Sequence, residues 1–323
     1  MRKVLLTKKL SDANLALLRS IPDVACVNVP EGDNEAFLKE IMDADAVLLS
    51  TAFQITREVL GTAPGLKVIS RTGVGVDNVD VLASTQKGVL VLNTPEANSI
   101  SVAEHTVAMI AAVSKQLLYY DHEMRKGNFK VRRLNLCVDM EGKTLGLVGC
   151  GKIGRLVAKK CALAFGMKTV GYDPFIPEDI DGIRIFKNIE DIFKNADYIS
   201  LHMPLTAETK NMVGERLISL MKPTAYLINT ARGGVVDEAA LASKLKDKAI
   251  AGAAFDVFST EPPSQGNPLF GLQNTILTPH TAALTNECTE RVAHEAVMGI
   301  ADYLSGRTPK YVFNKELIIA KMQ

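Results

Sequence analysis

Thr144-Leu145-Gly146-Leu147-Val148-Gly149-Cys150-Gly151-Lys152-Ile153-Gly154, a helical stretch, and then Lys168-Thr169-Val170-Gly171-Tyr172-Asp173 together decide the fold of this chain. An apolar strand runs into glycines spaced as G-x-G-x-x-G, a helix starts there, and a second strand ends on an acid. Gly149 permits the tight turn, Gly151 lets backbone N–H groups approach a pyrophosphate, and Gly154 allows close packing of helix on strand. The helix N-terminus then favours the negative charge. Asp173 stands 24 positions beyond Gly149, where its carboxylate can accept hydrogen bonds from an adenosine ribose. Glycines at this spacing alone would be weak evidence; with strand, helix, strand and terminal acid in register they predict a bound dinucleotide.

Outward from this unit, short apolar runs alternate with amphipathic helical patterns, the mark of parallel α/β structure. Strands are expected before the unit at Val4–Thr7, Val24–Val29, Ala46–Ser50, Val68–Ser70 and Leu90–Asn93, with helices near Asp12–Arg19, Glu35–Met42 and Thr56–Leu60. After Thr169–Asp173 come Tyr198–Met203, Ala225–Thr230, Ala251–Val257 and Thr275–Leu277, with helices near Ile189–Asn195, Glu215–Met221 and Glu238–Lys246. An apolar helix spans Val102 to Tyr119, and a last one about Asn286 to Leu304. The dinucleotide unit therefore sits mid-chain, and too little sequence follows it for a third domain. The expectation is two doubly wound parallel-sheet domains: a Rossmann domain, residues 98–284, inserted into a flavodoxin-like domain formed by residues 1–97 and 285–323. The default ligand site is a cleft between the two.

Composition narrows the function. Among 323 residues, 37 Lys and Arg face 36 Asp and Glu, so no global attraction to nucleic acid or an acidic membrane is expected. The five cysteines, Cys26, Cys137, Cys150, Cys161 and Cys288, are widely spaced without a CxxC pair, which argues against a disulfide framework or a metal site. No signal-peptide core and no uninterrupted membrane span is legible, and a cytoplasmic location is expected.

Three titratable residues each follow a strand of the nucleotide domain: Arg232 after Ala225–Thr230, Glu261 after Ala251–Val257, and His280 after Thr275–Leu277. Open α/β sheets bind ligands at the carboxyl ends of their strands, so all three reach one rim. An imidazole suits the proton that accompanies hydride transfer, a carboxylate beside it raises its pKa and fixes its tautomer, and an arginine fork holds a carboxylate or polarises a carbonyl. Together they describe a 2-oxo acid and 2-hydroxy acid pair.

These residues lie within motifs that resemble the D-isomer-specific 2-hydroxyacid dehydrogenases over nearly the whole chain. The motifs are Arg71-Thr72-Gly73-Val74-Gly75-Val76-Asp77-Asn78-Val79-Asp80, Asn93-Thr94-Pro95, Ser101-Val102-Ala103-Glu104, the glycine fingerprint and His202-Met203-Pro204-Leu205-Thr206. Further on come Asn229-Thr230-Ala231-Arg232-Gly233-Gly234, Asp256-Val257-Phe258, Glu261-Pro262-Pro263 and Thr278-Pro279-His280. The resemblance implies Arg232, Glu261 and His280 as the catalytic three and backbone N–H groups of Val74 and Gly75 on the substrate carboxylate, with Arg232 and His280 also contacting substrate. It implies cofactor contacts from Gly149, Gly151, Lys152, Ile153, Gly154, Asp173, Thr230, Ala231, Arg232, Asp256 and His280, with Asp256 receiving the nicotinamide carboxamide, and a homodimer built on the Val102–Tyr119 region. Asp173 is followed by Pro174-Phe175, with no arginine for a 2′-phosphate, which favours NAD over NADP.

Family members acting on 3-phosphoglycerate share most of these motifs, so D-3-phosphoglycerate dehydrogenase is an alternative. Such enzymes usually place an arginine after the third strand, whereas this loop reads Leu49-Ser50-Thr51-Ala52-Phe53-Gln54; Arg71, Arg132 or Arg133 would have to meet the dianion instead. Small unphosphorylated acids such as glyoxylate, hydroxypyruvate or a D-lactate-like compound are therefore favoured, and no regulatory module is expected after the terminal helix. A second alternative, of another class, is an NAD-sensing binding protein like the corepressors that keep this fold. Formate dehydrogenases carry glutamine where Glu261 stands and are set aside.

Overall fold

The structure is a computed structural model that describes residues 1–133 and 136–315. The chain forms two compact units, residues 1–98 together with the chain from Thr285 onward, and residues 99–284.

The first unit runs β1 (Arg2–Leu6), α1 (Asp12–Arg19), β2 (Val24–Asn28), α2 (Asn34–Glu40), β3 (Ala46–Leu49), α3 (Arg57–Thr62), β4 (Val68–Arg71), α4 (Val81–Gln86) and β5 (Leu90–Leu92). Its five strands are parallel in the order β2-β1-β3-β4-β5, the flavodoxin-like arrangement. Successive side chains point to opposite faces, so Leu5, Val47, Leu49, Ile69 and Val91 pack with Phe37, Ile41 and Leu60 on one side. Val4, Leu6, Leu48, Val68 and Leu92 face the other side, where the helix that begins after Thr285 covers them with Ala296, Val297, Ile300 and Leu304. Ser70 Oγ donates to Ala296 O at 2.9 Å, and Asn314, almost fully buried, bonds Val91 N and Val89 O, tying the returning segment to the sheet.

The second unit runs α5 (Ser99–Ser114), α6 (Leu117–Arg125), β6 (Thr144–Val148), α7 (Lys152–Phe165), β7 (Lys168–Tyr172), β8 (Arg184–Ile185), α8 (Ile189–Asn195), β9 (Tyr198–Leu201), α9 (Glu215–Ile218), β10 (Tyr226–Asn229), α10 (Glu238–Lys246), β11 (Gly252–Phe255) and β12 (Thr275–Leu277). The returning helix of the first unit is then α11 (Asn286–Leu304). The seven strands are parallel in the order β12-β11-β10-β9-β6-β7-β8. The order of winding reverses between β6 and β9, the topological switch point at which such sheets bind nucleotides. Ile199, Leu201, Leu227 and Phe255 pack under α8 to α10, while Leu145, Leu147, Ile228 and Ala254 pack under α5 and α7.

One element differs from the sequence pattern. The apolar stretch from Val102 to Tyr119 is not a single helix: Gln116 takes a left-handed backbone with φ 47°, separating α5 from α6. The cause is the segment that follows α6. Val138 N donates to Ser114 O at 3.0 Å and Cys137 Sγ donates to Lys115 O, satisfying carbonyls that a continuous helix would have used. Helix α4, the two-residue strand β8 and the start of α5 at Ser99 had no sequence signal strong enough to place them. The terminal residues 316–323, assigned by sequence to the first domain, lie outside the described residues.

Candidate active site

The glycine fingerprint sits at the switch point, in the turn from β6 to α7. Gly149 has φ +96°, and a Cβ there would stand 2.7 Å from the His202 backbone; one on Gly154 would stand 2.4 Å from Gly149 O. The strand-end loops are therefore as close as glycine permits. A Cβ on Gly151 would meet nothing within 4 Å, so its lack of a side chain serves no packing within the protein and leaves the entry to α7 open. Gly151 caps that 14-residue helix with no side-chain hydrogen bond, leaving its first N–H groups to an anion. Asp173 directly follows β7, its Oδ2 accepting from Cys150 N at 2.8 Å and its Oδ1 from Phe175 N at 2.9 Å. Its carboxylate is thus fixed at the edge of the cradle. These groups fit a dinucleotide: an open helix N-terminus for the pyrophosphate, a fixed acid for the ribose. Cys150 within the fingerprint is buried, and burial together with the Asp173 charge pushes its thiol up to about 12.

Strands β10, β11 and β12 are adjacent and parallel, so their carboxyl ends share one edge and bring Arg232, Glu261 and His280 together. Asn229 brackets the turn after β10, its Oδ1 accepting from Ala231 N at 3.0 Å and its Nδ2 donating to Arg232 O at 3.0 Å. Thr230 Oγ1 meets Thr106 Oγ1 of α5 at 2.8 Å. The loop after β11 is held by Glu238, a nearly buried residue of α10 that accepts from Ser259 N and from Asn267 Nδ2. Glu261 Oε1 accepts from Phe258 N at 3.0 Å, and its Oε2 lies 2.7 Å from His280 Nδ1.

The electrostatics separate the histidines. The hydrogen bond to Glu261 raises the His280 pKa above the usual 6.5, outweighing burial and the nearby Arg232 charge. Burial works against the Glu261 carboxylate, yet the hydrogen bonds from His280 and Phe258 N–H hold its pKa below the usual range. His202, beside the fingerprint, is driven down to about 4 by burial, so it is neutral at physiological pH, with Ser200 Oγ 2.9 Å from its Nε2. Of these two histidines, His280 has the carboxylate partner and the raised pKa that a proton donor to substrate requires.

Asp256 is fully buried at the end of β11. Its Oδ1 accepts from Thr278 Oγ1 at 2.5 Å and Thr281 N at 2.8 Å, its Oδ2 accepts from Ala282 N at 2.9 Å, and its carbonyl accepts from His280 N at 2.7 Å. In this structure Asp256 fastens the loop that carries His280. Val74 and Gly75 lie in the loop between β4 and α4 of the first unit, where Asn93 Nδ2 donates to Val74 O at 2.8 Å and Thr94 N donates to Gly73 O at 2.9 Å. Of the arginines weighed for a phosphate, Arg71 donates to Thr72 O and the Arg132 guanidinium lies over the Phe129 ring. Among the described residues no group of acids, histidines or cysteines forms a metal site, all five cysteines are thiols, and no helix is long and apolar enough to cross a membrane.

Reading the sequence alone attaches no weight to Asn229, Glu238, Thr278 or His105 as single residues. Glu238 and Asn229 act through hydrogen bonds to backbone that no spacing rule exposes. His105 stands beside the Ser101–Glu104 motif, but in the sequence it is only a polar interruption of an apolar helix.

Residues 107–282 match the model of the D-isomer specific 2-hydroxyacid dehydrogenase, NAD binding domain. The chain is 40% identical over 318 residues to D-3-phosphoglycerate dehydrogenase of Methanocaldococcus jannaschii, an alignment covering 97% of this chain and 60% of that one. The chain thus spans less than two thirds of that relative. Among solved structures, the TT0316 protein from Thermus thermophilus superposes with a TM-score of 0.87 at 35% identity, covering 96% of this chain and 99% of that one. A glyoxylate reductase from Paecilomyes thermophila gives 0.86 at 27% identity, covering 98% and 99%. The switch-point cradle, the acid–imidazole pair and these likenesses agree, and the chain belongs to the D-isomer specific 2-hydroxyacid dehydrogenase family.

Proposed function

We propose that this protein interconverts a small 2-oxo acid and its D-2-hydroxy acid with NAD as the hydride carrier. The observation that carries the reading is the His280–Glu261 pair, 2.7 Å apart, with Arg232 close enough for its charge to act on both. When bound, the nicotinamide supplies or accepts the hydride. Gly149, Gly151, Lys152, Ile153 and Gly154 would hold its pyrophosphate, Asp173 its ribose, and Thr230, Ala231, Arg232, Asp256 and His280 its nicotinamide end. In the reducing direction His280 gives its Nε2 proton to the developing alkoxide while Glu261 holds Nδ1–H and stabilises the imidazolium. Arg232 holds the substrate through its fork of donors. In the oxidising direction His280 accepts the hydroxyl proton.

The first reading for substrate is an unphosphorylated acid, because the loop after β3, Ser50 to Gln54, has no cation. Phosphoglycerate oxidation is the second reading, favoured by the 40% identity to an archaeal phosphoglycerate dehydrogenase. The family resemblance and the exposed Leu117, Leu118, Met124 and Phe129 support a homodimer, which sedimentation velocity would reveal as a doubled mass. Five unpaired thiols suit the cytoplasm, which cell fractionation would check.

The test is NADH oxidation with glyoxylate, hydroxypyruvate, pyruvate, phenylpyruvate and 3-phosphohydroxypyruvate. Preference for one unphosphorylated acid is expected; preference for the phosphorylated one selects the second reading. Replacing His280 by Ala should lower kcat by about 10²–10⁴-fold with NADH binding retained. Bound NADH with no turnover of any acid would instead support the NAD-sensing alternative.

A further inference from the structure

Helix α5 delivers two consecutive side chains to the strand-end rim. Thr106 reaches Thr230 after β10, and His105, one position earlier and three-quarters buried, reaches the loop after β12. His105 Nε2 lies 3.1 Å from Thr278 Oγ1 and 3.6 Å from Asp256 Oδ1. The second distance is too long for a hydrogen bond, so His105 speaks to the carboxylate through Thr278.

The proton inventory fixes the direction of that contact. A threonine hydroxyl has one proton, and at 2.5 Å from a buried carboxylate oxygen it must donate it to Asp256, since two oxygens facing each other with lone pairs alone would repel. Thr278 Oγ1 can then only accept from His105. The imidazole Nε2 must carry a hydrogen, in the neutral or the charged ring alike. The resulting chain, His105 Nε2–H to Thr278 Oγ1–H to Asp256 Oδ1, ends on the group that fastens the catalytic loop. That loop needs fastening: His280 sits at φ 54°, a left-handed conformation costly for a residue with a Cβ, held by its N–H bonds to Asp256 O and Thr278 O.

We propose that His105 is a positioning residue for the acid–base histidine, acting through Thr278 and Asp256 to hold the Thr278–Ala282 loop. It touches neither the proton in transit nor the hydride. The assignment rests on the dehydrogenase reading above only for its kinetic consequence; its hydrogen-bond direction stands on the geometry.

Two measurements test it. In protein labelled with 15N-histidine, with the His105 signals assigned by their loss in His105→Gln, Nε2 is expected to bear the proton; a neutral ring protonated on Nδ1 overturns the proposal. In kinetics on the preferred acid, His105→Leu should lower kcat by about tenfold with the KM for NADH within about twofold, Thr278→Val should do likewise, and the double variant should be no worse than the weaker single one. His105→Gln, whose amide Nε2–H can occupy nearly the imidazole position, should recover most of the loss, which a variant that merely misfolds would not allow. An unaltered kcat in His105→Leu, or effects that multiply in the double variant, overturns the proposal. Absence of turnover in the wild type with every acid overturns the dehydrogenase reading instead, and the nitrogen spectrum then decides the His105 assignment alone.

Discussion

At the scale of single residues, the proposed chemistry turns on how the imidazoles of His202 and His280 are kept different. His202 and His280 both follow strands of the same sheet, yet burial drives one down to about 4 while a carboxylate raises the other. The sign of the pH response follows. If His280 is the proton donor proposed above, reduction should slow as pH rises through its raised pKa, and oxidation should gain over the same range. In Glu261→Gln the raising influence is lost while burial remains, so the reductive fall should move to lower pH, visible in kcat/KM profiles; an unmoved profile would separate Glu261 from His280. The same pair makes a stability window. The raised histidine contributes fully below its ordinary 6.5 and loses its contribution as pH rises through the folded value. Glu261 contributes above its ordinary 4.5 and loses its contribution as pH falls through the lowered one. The meeting of these residues at one edge was legible in the sequence because each follows a predicted strand. The groups that aim them were not, because Asn229, Glu238 and His105 act on loops through contacts that only the folded chain creates.

At the scale of elements, the loops are set by close approach. Gly233 opens the turn after Arg232, and a Cβ there would lie 1.8 Å from Phe258 C and 2.0 Å from Phe258 O, on the loop that carries Glu261. Because the obstruction is backbone, Gly233→Ala must push the Arg232 and Glu261 loops apart. The expected result is a loss of turnover by about two orders of magnitude or more, larger than the loss of thermal stability alone would explain, read by kcat beside a melting curve. Retained kcat would mean that the two loops yield without cost to the geometry. Element types followed from periodicity, since strands buried on both faces read as apolar runs. Boundaries and breaks did not. The left-handed Gln116 depends on Val138 and Cys137 arriving from beyond α6, a partner that local periodicity cannot register.

At the scale of the whole molecule, the mid-chain fingerprint already required that something fold before it, and the parallel order of each sheet follows from the alternation of strand and helix. Which face of the first sheet α11 covers is a matter of packing. Ile300 is fully buried there among Val4, Leu6, Leu48 and Val68. Ile300→Ala should cost about 2–5 kcal/mol, a range set by how far the cavity collapses. Urea unfolding should show that loss, and a cost under about 1 kcal/mol would mean that α11 is dispensable to the sheet.

The interruption of the first unit by the second also imposes an order on synthesis. A ribosome releases β1 to β5 first, but the helix that shields Val4, Leu6, Leu48 and Leu92 emerges only after the whole nucleotide-binding unit. For the time taken to translate those intervening residues, the nascent first sheet carries an uncovered oily face while the unit that follows it can already fold. The nucleotide-binding unit is thus free to complete its fold before the first unit, which becomes native only once α11 has arrived.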